Sequence, residues 1–428
     1  MPDATPTNEL RALNRLAFDE LGGIPRGIGQ IHHGIAARAF WAVGPLGRPV
    51  KLAHDAMSRR VYSALGAGSS VFGRAADAAL ARRRVGDGLA LSTTRPGSAM
   101  LAALNGLIGD ELERTGSALH QPAAVRIDGE PVPLDRESVR RGFPGATPWP
   151  VVFLHGLMET EFSWSLGAGP EGRTYGTRLA RDLECTPVYV RYNSGRHISE
   201  NGRSVAELLD ALFAAWPVEV AQITLVGHSM GGLVARSACH QGSRDGHRWA
   251  GHVRHVVSLG TPHMGAPLEQ AVHAASAALH ALPETRPFSA FLRRRSSGIR
   301  DLRQGSLVDE DWRERDRDAL RAAACQEVAL LDGATHCFVS ATVTRSERHP
   351  VGRLIGDCLV LVPSASGRSR TRRIPFDVEH GAHVGATHHL ALLNHPEVYE
   401  HLRRWVATPP GGQLPRTTTV TTGVTPAS

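Results

Sequence analysis

The sequence predicts an α/β protein: a mostly parallel central sheet flanked by helices, with an inserted helical cap and an N-terminal helical extension. Three observations carry that expectation. Short apolar runs at 150–157, 187–192, 223–226 and 255–259 alternate with helix-period stretches at 175–183 and 205–216. Strands alternating with helices build a parallel sheet through right-handed crossovers. The run PVVFLHGL is continuously apolar until it breaks at Gly156, as a strand buried on both faces should be. Finally, QITLVGHSMGGLVAR, residues 222–236, reads as strand, sharp turn and helix, the period changing from that of a buried strand to that of a helix at the turn.

Taken in order, residues 1–120 are rich in Ala, Gly and Arg and carry apolar stripes at helical spacing. These are Ile28, Ile31, Ile35, then Val61, Leu65, then Leu101, Leu104, Ile108, Leu112. They predict a helical extension that packs on the main domain in preference to lying on lipid. The main domain is expected over 121–410. It opens with two short strands around the Asp128-Gly129 turn, a hairpin entry to the sheet. Between about 263 and 325 the alternation stops, and Leu268, Val272, Ala275, Leu279 and Leu282 form a stripe before the charged run 309–317. This reads as a cap over the site, its stripe either lining an acyl pocket or closing onto the core. The sheet resumes at CFVSATV, 337–343, EVYEHLRRWV, 397–406, is a closing helix, and 411–428 reads as a disordered polar tail.

Composition narrows the class. The 428 residues have room for one large domain plus an extension. The net charge of +7 comes almost wholly from arginine, Lys51 being the one lysine; a skew of that kind follows genome composition and argues for no nucleic-acid partner. Five cysteines, Cys185, Cys239, Cys325, Cys337 and Cys358, lack C-x-x-C spacing and read as reduced, partly buried thiols. Residues 1–22 lack the basic and apolar regions of a signal peptide, and no stretch reaches the roughly 18 apolar residues of a membrane span. The expectation is a cytoplasmic protein, with peripheral membrane contact through the extension or cap as the alternative.

The chemistry centres on Gly227-His228-Ser229-Met230-Gly231, a G-x-S-x-G sequence. Such a turn strains the serine backbone and needs small residues two before and two after it, which Gly227 and Gly231 supply. It presents Ser229 at the carboxyl edge of the sheet and leaves the Met230 amide free to stabilise an oxyanion. A glycine turn with an incidental serine is the bland alternative, disfavoured by the strand before and the helix after. A serine hydroxyl needs an imidazole to take its proton and a carboxylate to fix that imidazole, and the motif orders them serine, acid, histidine.

Asp357 in IGDCLV follows the 337–343 strand at a glycine turn and is the expected acid, an Asx turn being its bland reading. Asp332 precedes that strand, at the wrong sheet end, and Asp377 is the reserve. His380, His383, His388 and His389 all lie between the acid and the last helix, and spacing alone does not separate them. His389, directly before the run LALL, is the expected base with His388 in reserve. The second oxyanion donor is expected from His155-Gly156-Leu157 as the Leu157 amide, with His155 and His228 in supporting roles. No metal is expected: the histidine-rich stretch lacks H-E-x-x-H spacing, and no carboxylate cluster calls for calcium.

FLHGL, LVGHSMGG, LGTPHMGAP, GDCLV and HHLALLNHPEVYEHLRRW, in that order, resemble the α/β-hydrolase superfamily, in the bacterial lipase and esterase branch related to GPI inositol-deacylase-like proteins. The resemblance spans about 124–407. It implies an α/β-hydrolase fold, Ser229 as nucleophile, Asp357 as acid, His389 as base, Leu157 and Met230 as oxyanion donors, and Thr261-Pro262-His263 as a structural turn bordering the site. The extension lies outside it, and 263–325 carries no family signature. The implied activity is hydrolysis of carboxylic esters, lipid-like ones included, through an acyl-serine without a cofactor. An acyltransferase shares the triad. A non-catalytic binding protein on the same fold would typically have lost one of its members.

Overall fold

The apolar runs build an eight-stranded sheet of order β2-β1-β4-β3-β5-β6-β7-β8, in a computed structural model that describes residues 8–16, 90–169, 171–266, 295–314 and 325–408. The strands are β1 Ala124–Ile127, β2 Glu130–Pro131, β3 Pro150–Leu154, β4 Thr186–Arg191, β5 Ile223–His228, β6 Val253–Leu259, β7 Thr335–Ala341 and β8 Gly381–Val384. From β4 to β8 in that order every pairing is parallel, and β1 is antiparallel both to β2 and to β4. Asp128 and Gly129, at φ 49° and 89°, make the β1–β2 turn, as a two-residue hairpin loop requires.

Helices are α1 Arg95–Arg114, α2 Arg136–Gly142, α3 Tyr175–Leu183, α4 Ile198–Ala215, α5 Met230–Arg244, α6 Ser297–Asp301, α7 Pro350–Ile355, α8 Val362–Ala365 and α9 Pro396–Val406. Strand alternation divides the core between the two faces of the sheet. Val152 and Leu154 of β3 join Leu209, Leu212, Leu233 and Val234 of α4 and α5. Val151 and Phe153 join Leu179, Leu402 and Trp405 of α3 and α9. All five residues of β3 are buried, which is why that run is apolar without alternation.

Strand order reverses around β3: the chain goes out to β4, then crosses back to β5 on the other side. In open parallel sheets a crevice forms at the carboxyl ends of the strands at such a reversal. Here β3 delivers His155-Gly156-Leu157 to it and β5 delivers Ser229.

Two differences from expectation have local causes. Helix α4 begins at Ile198, well before residue 205, because its first turns pack through small groups that apolar periodicity does not register. A Cβ on Gly202 would lie 2.2 Å from Ser237 Oγ of α5. Strand β8 is a four-residue edge strand with one fully buried residue, Val384, too short and too polar for a strand signature. The stripes at 28–35, 61–65 and 268–282 and the 411–428 tail lie outside the described residues.

The Leu101, Leu104, Ile108, Leu112 stripe falls on α1, where Leu101 and Leu112 are buried with Leu119. Thr94 caps the helix through the Gly97 amide. Its glycines press it onto loops of the sheet's carboxyl edge: a Cβ on Gly106 would meet Met158 at 2.3 Å and one on Gly109 would meet Asn193 at 1.9 Å. Four cysteines are buried and Cys358 is exposed, where all five had been expected to be partly buried. No helix among the described residues is long and apolar enough to cross a membrane.

Candidate active site

At the β5–α5 turn Ser229 adopts φ 52° and ψ −121°, a conformation that costs a non-glycine residue about 1–3 kcal/mol. The surroundings hold it there. Ser229 N donates to Leu259 O at 2.8 Å, and the neighbouring glycines leave no room to relax. A Cβ on Gly227 would lie 2.4 Å from the Gly231 carbonyl carbon, one on Gly231 would lie 2.2 Å from Leu154 O, and one on Gly232 would lie 2.0 Å from Thr261 Oγ1. Thr261 of the TPH turn is fully buried, so it walls the turn from the β6 side. Ser229 itself is half-buried at the start of α5.

Leu157 stands between two committed amides. Gly156 N donates to Glu159 Oε2 at 2.9 Å and Met158 N to Ser194 Oγ at 3.1 Å. The Leu157 and Met230 amides enter no hydrogen bond among the described residues. His155 is fully buried and shapes the loop from below: its Nε2 accepts from Tyr192 N at 3.2 Å, so its Nδ1 carries the proton and donates to Gly156 O at 2.8 Å. Burial pushes its pKa down, in keeping with a neutral ring, and it stacks on Tyr192 with centroids 4.2 Å apart.

Asp357 follows Gly356, whose φ is 58° and whose Cβ would lie 2.0 Å from Val360 O. The carboxylate does two jobs. Oδ1 accepts from Leu359 N at 3.0 Å and Val360 N at 2.8 Å, so the Asx turn given as the bland alternative is made as well. Oδ2 lies 2.7 Å from His389 Nδ1, with the two side chains 1% and 5% exposed. His389 N also donates to Asp357 O at 2.9 Å, which fixes the two loops to each other. His389 Nε2 is buried and has no hydrogen-bond partner. It makes no bond to Ser229, and such contacts in unliganded sites tighten only when substrate is bound. A Cβ on Gly260 would come within 3.2 Å of the His389 ring, so glycine there makes space for the imidazole.

The remaining candidates stand apart from this pair. His383 lies in β8 against Ser340 and Thr342. His388 is exposed. Asp377 caps a short turn and lies 3.7 Å from His380, and Asp332 is exposed ahead of β7.

One residue escaped the sequence reading. Glu159, in HGLMETE, has its Oε1 3.0 Å from His228 Nδ1, and His228 Nε2 lies 3.3 Å from His389 O. Burial opposes charge on both side chains, yet each offsets that cost for the other: Glu159 is held down to about 2 and His228 above the ordinary imidazole value. A histidine in the motif's second position, buried between strand and helix, requires a buried acceptor. Nothing in the spacing separates Glu159 from Glu161, which instead pairs with Arg191, Nε to Oε2 at 2.6 Å.

Strand order, parallel pairing and the strained strand–turn–helix at Ser229 define an α/β-hydrolase fold. Residues 192–313 match the PGAP1-like alpha/beta domain family, a span that runs from the end of β4 through Ser229 into the segment after α6. Comparison with curated proteins finds no match. Among solved structures the chain is similar to the mature Bacillus licheniformis lipase BlEst2, at 16% identity and TM-score 0.39 over 66% of this chain and 99% of that one. It is also similar to a lipase-esterase related protein from Clostridium acetobutylicum, at 16% identity and TM-score 0.32 over 60% and 95%. An esterase from Pyrobaculum calidifontis gives 15% identity and TM-score 0.34 over 61% and 76%.

Proposed function

We propose that the protein is a serine ester hydrolase, carried by one main domain over 121–410 with the preceding residues as an extension. The observation that carries this reading is the buried Asp357–His389 bond with His389 Nε2 left unpartnered, delivered from the strands beyond the Ser229 turn. In the proposed reaction Ser229 Oγ attacks the ester carbonyl carbon while His389 Nε2 takes its proton. The Leu157 and Met230 amides stabilise the oxyanion. The intermediate collapses as His389 returns the proton to the departing alcohol; water, deprotonated by His389, then attacks the acyl-serine and releases the acid. Met230 opens α5, so the helix N-terminus adds to the field at the developing negative charge.

Lipid-like acyl groups are the favoured substrates. Leu354, Ile355 and Leu359 flank Asp357, and Leu390 follows His389; all four are exposed, Leu354 by 75%. A cluster of exposed large apolar side chains beside a reactive site marks an apolar ligand. Initial rates on p-nitrophenyl esters of two to sixteen carbons, wild type beside Ser229→Ala, test the proposal. The expected result is hydrolysis rising with chain length and lost in the variant; equal rates in both proteins would remove Ser229 from the reaction.

A further inference from the structure

We infer that Glu159 and His228 form a positioning pair that holds the oxyanion loop and the histidine loop in register on either side of Ser229. The inference deepens the serine hydrolase reading and rests on it. One hydrogen-bonded network touches all three segments of the site. Glu159 Oε2 accepts from Gly156 N at 2.9 Å, which fixes the peptide leading into Leu157. Glu159 Oε1 lies 3.0 Å from His228 Nδ1, and His228 is covalently next to Ser229. His228 Nε2 faces the carbonyl oxygen of His389 at 3.3 Å, which fixes the backbone of the proposed base.

The ring's protonation follows from its neighbours. A carboxylate and a carbonyl are both acceptors, so both ring nitrogens of His228 must donate, and a histidine with two N–H groups is a cation. His228 is fully buried and Glu159 has 12% of its side chain exposed. A buried ion pair gains little net stability over an apolar pair of the same volume, because desolvation offsets the attraction. What ionic contacts supply that apolar ones do not is direction: this pair orients one amide and one carbonyl at fixed angles. Misplacing reacting groups by about 1 Å can cost on the order of 10²-fold in rate.

The His228 and His389 rings are 4.8 Å apart; the charged groups facing His228 are Glu159 and Asp357, with Trp164 edge-on at 6.4 Å. Replacing Glu159 with a neutral residue removes the reason for His228 to hold its second proton, and the ring then no longer donates to both loops at once.

The test uses the full-length protein in three forms: wild type, Glu159→Gln, and the apolar double variant Glu159→Leu with His228→Phe. In Glu159→Gln the expectation is a kcat lowered about 10–100-fold with KM within about threefold. The double variant keeps its melting temperature near wild type and still loses kcat. A phosphonate continues to label Ser229 in all three, more slowly in the variants. Wild-type kcat in a folded Glu159→Gln protein, or recovery of kcat in the double variant, would overturn the positioning role while leaving the serine reading intact. Full activity in Ser229→Ala would overturn both.

Discussion

Two histidine–carboxylate pairs lie side by side in this site, their rings 4.8 Å apart, and they differ at a single nitrogen. In Asp357–His389 the carboxylate holds Nδ1 at 2.7 Å and Nε2 has no partner. In Glu159–His228 the carboxylate holds Nδ1 at 3.0 Å and Nε2 faces a carbonyl. The first ring has a lone pair to offer a proton; the second has none. A histidine–carboxylate pair can therefore serve as a base where the far nitrogen is free, the role proposed for His389, and as a clamp where it is tied, the role proposed for His228. Burial with a carboxylate does not by itself distinguish these two rings; the state of the second nitrogen does.

The largest expected effect comes from removing the free nitrogen or its nucleophile. His389→Ala and Ser229→Ala should each lower kcat for ester hydrolysis by on the order of 10⁶, and Asp357→Asn by on the order of 10⁴. Far-ultraviolet circular dichroism and steady-state kinetics on the same preparations separate lost chemistry from lost fold. If His389→Ala kept wild-type turnover, the two pairs would have to exchange roles.

Next in size is the stability of the clamp, which depends on pH in a defined direction. Glu159 is depressed from 4.5 to about 2 in the folded state, so its contribution is present above about pH 4.5 and fades as the pH falls toward 2. His228 is raised above 6.5, so its contribution is full below about pH 6.5 and fades as the pH climbs through its raised value. Wild type should therefore exceed Glu159→Gln in unfolding free energy by the most between about pH 4.5 and 6.5, by roughly 3–5 kcal/mol as for a buried pair broken on one side. Urea unfolding of both proteins from pH 3 to 9 checks this. A difference independent of pH would remove charge from the account.

How much of this was legible beforehand follows the same contrast. The Ser229 turn is written in glycines because it works through backbone contact, and Gly227 and Gly231 have backbone atoms within 2.4 Å of where a side chain would begin. The glycine turn after a strand pointed to Asp357 and the place before an apolar run to His389, and the structure brings these two side chains to 2.7 Å from each other. Glu159 was not, because a buried ion pair between sequence-distant residues leaves no periodicity, and Glu159 and Glu161 are alike until the fold assigns one to His228 and the other to Arg191. The first turns of α4 were hidden for a related reason: Ser199, Asn201 and Gly202 are buried there without being apolar.

A smaller effect sharpens the comparison with a third pair. His197 Nδ1 lies 3.1 Å from Asp301, and its ring stacks on Trp312 at 3.7 Å. Its Nε2 is buried and unpartnered, as in His389, yet the pair joins the start of α4 to α6 through Ile198 N and Asp301 Oδ2 at 2.8 Å. Burial raises the Asp301 pKa, which disfavours the charged carboxylate there. Asp301→Asn should lower the melting temperature and leave kcat of the folded protein near wild type. A lost kcat in the folded variant would tie this pair to the reaction.

The most direct measurement is covalent labelling with an alkyl fluorophosphonate followed by peptide mass spectrometry. The account predicts one adduct per chain, on Ser229, absent from Ser229→Ala and strongly slowed in His389→Ala. An adduct on another residue, or labelling that persists in Ser229→Ala, would contradict it.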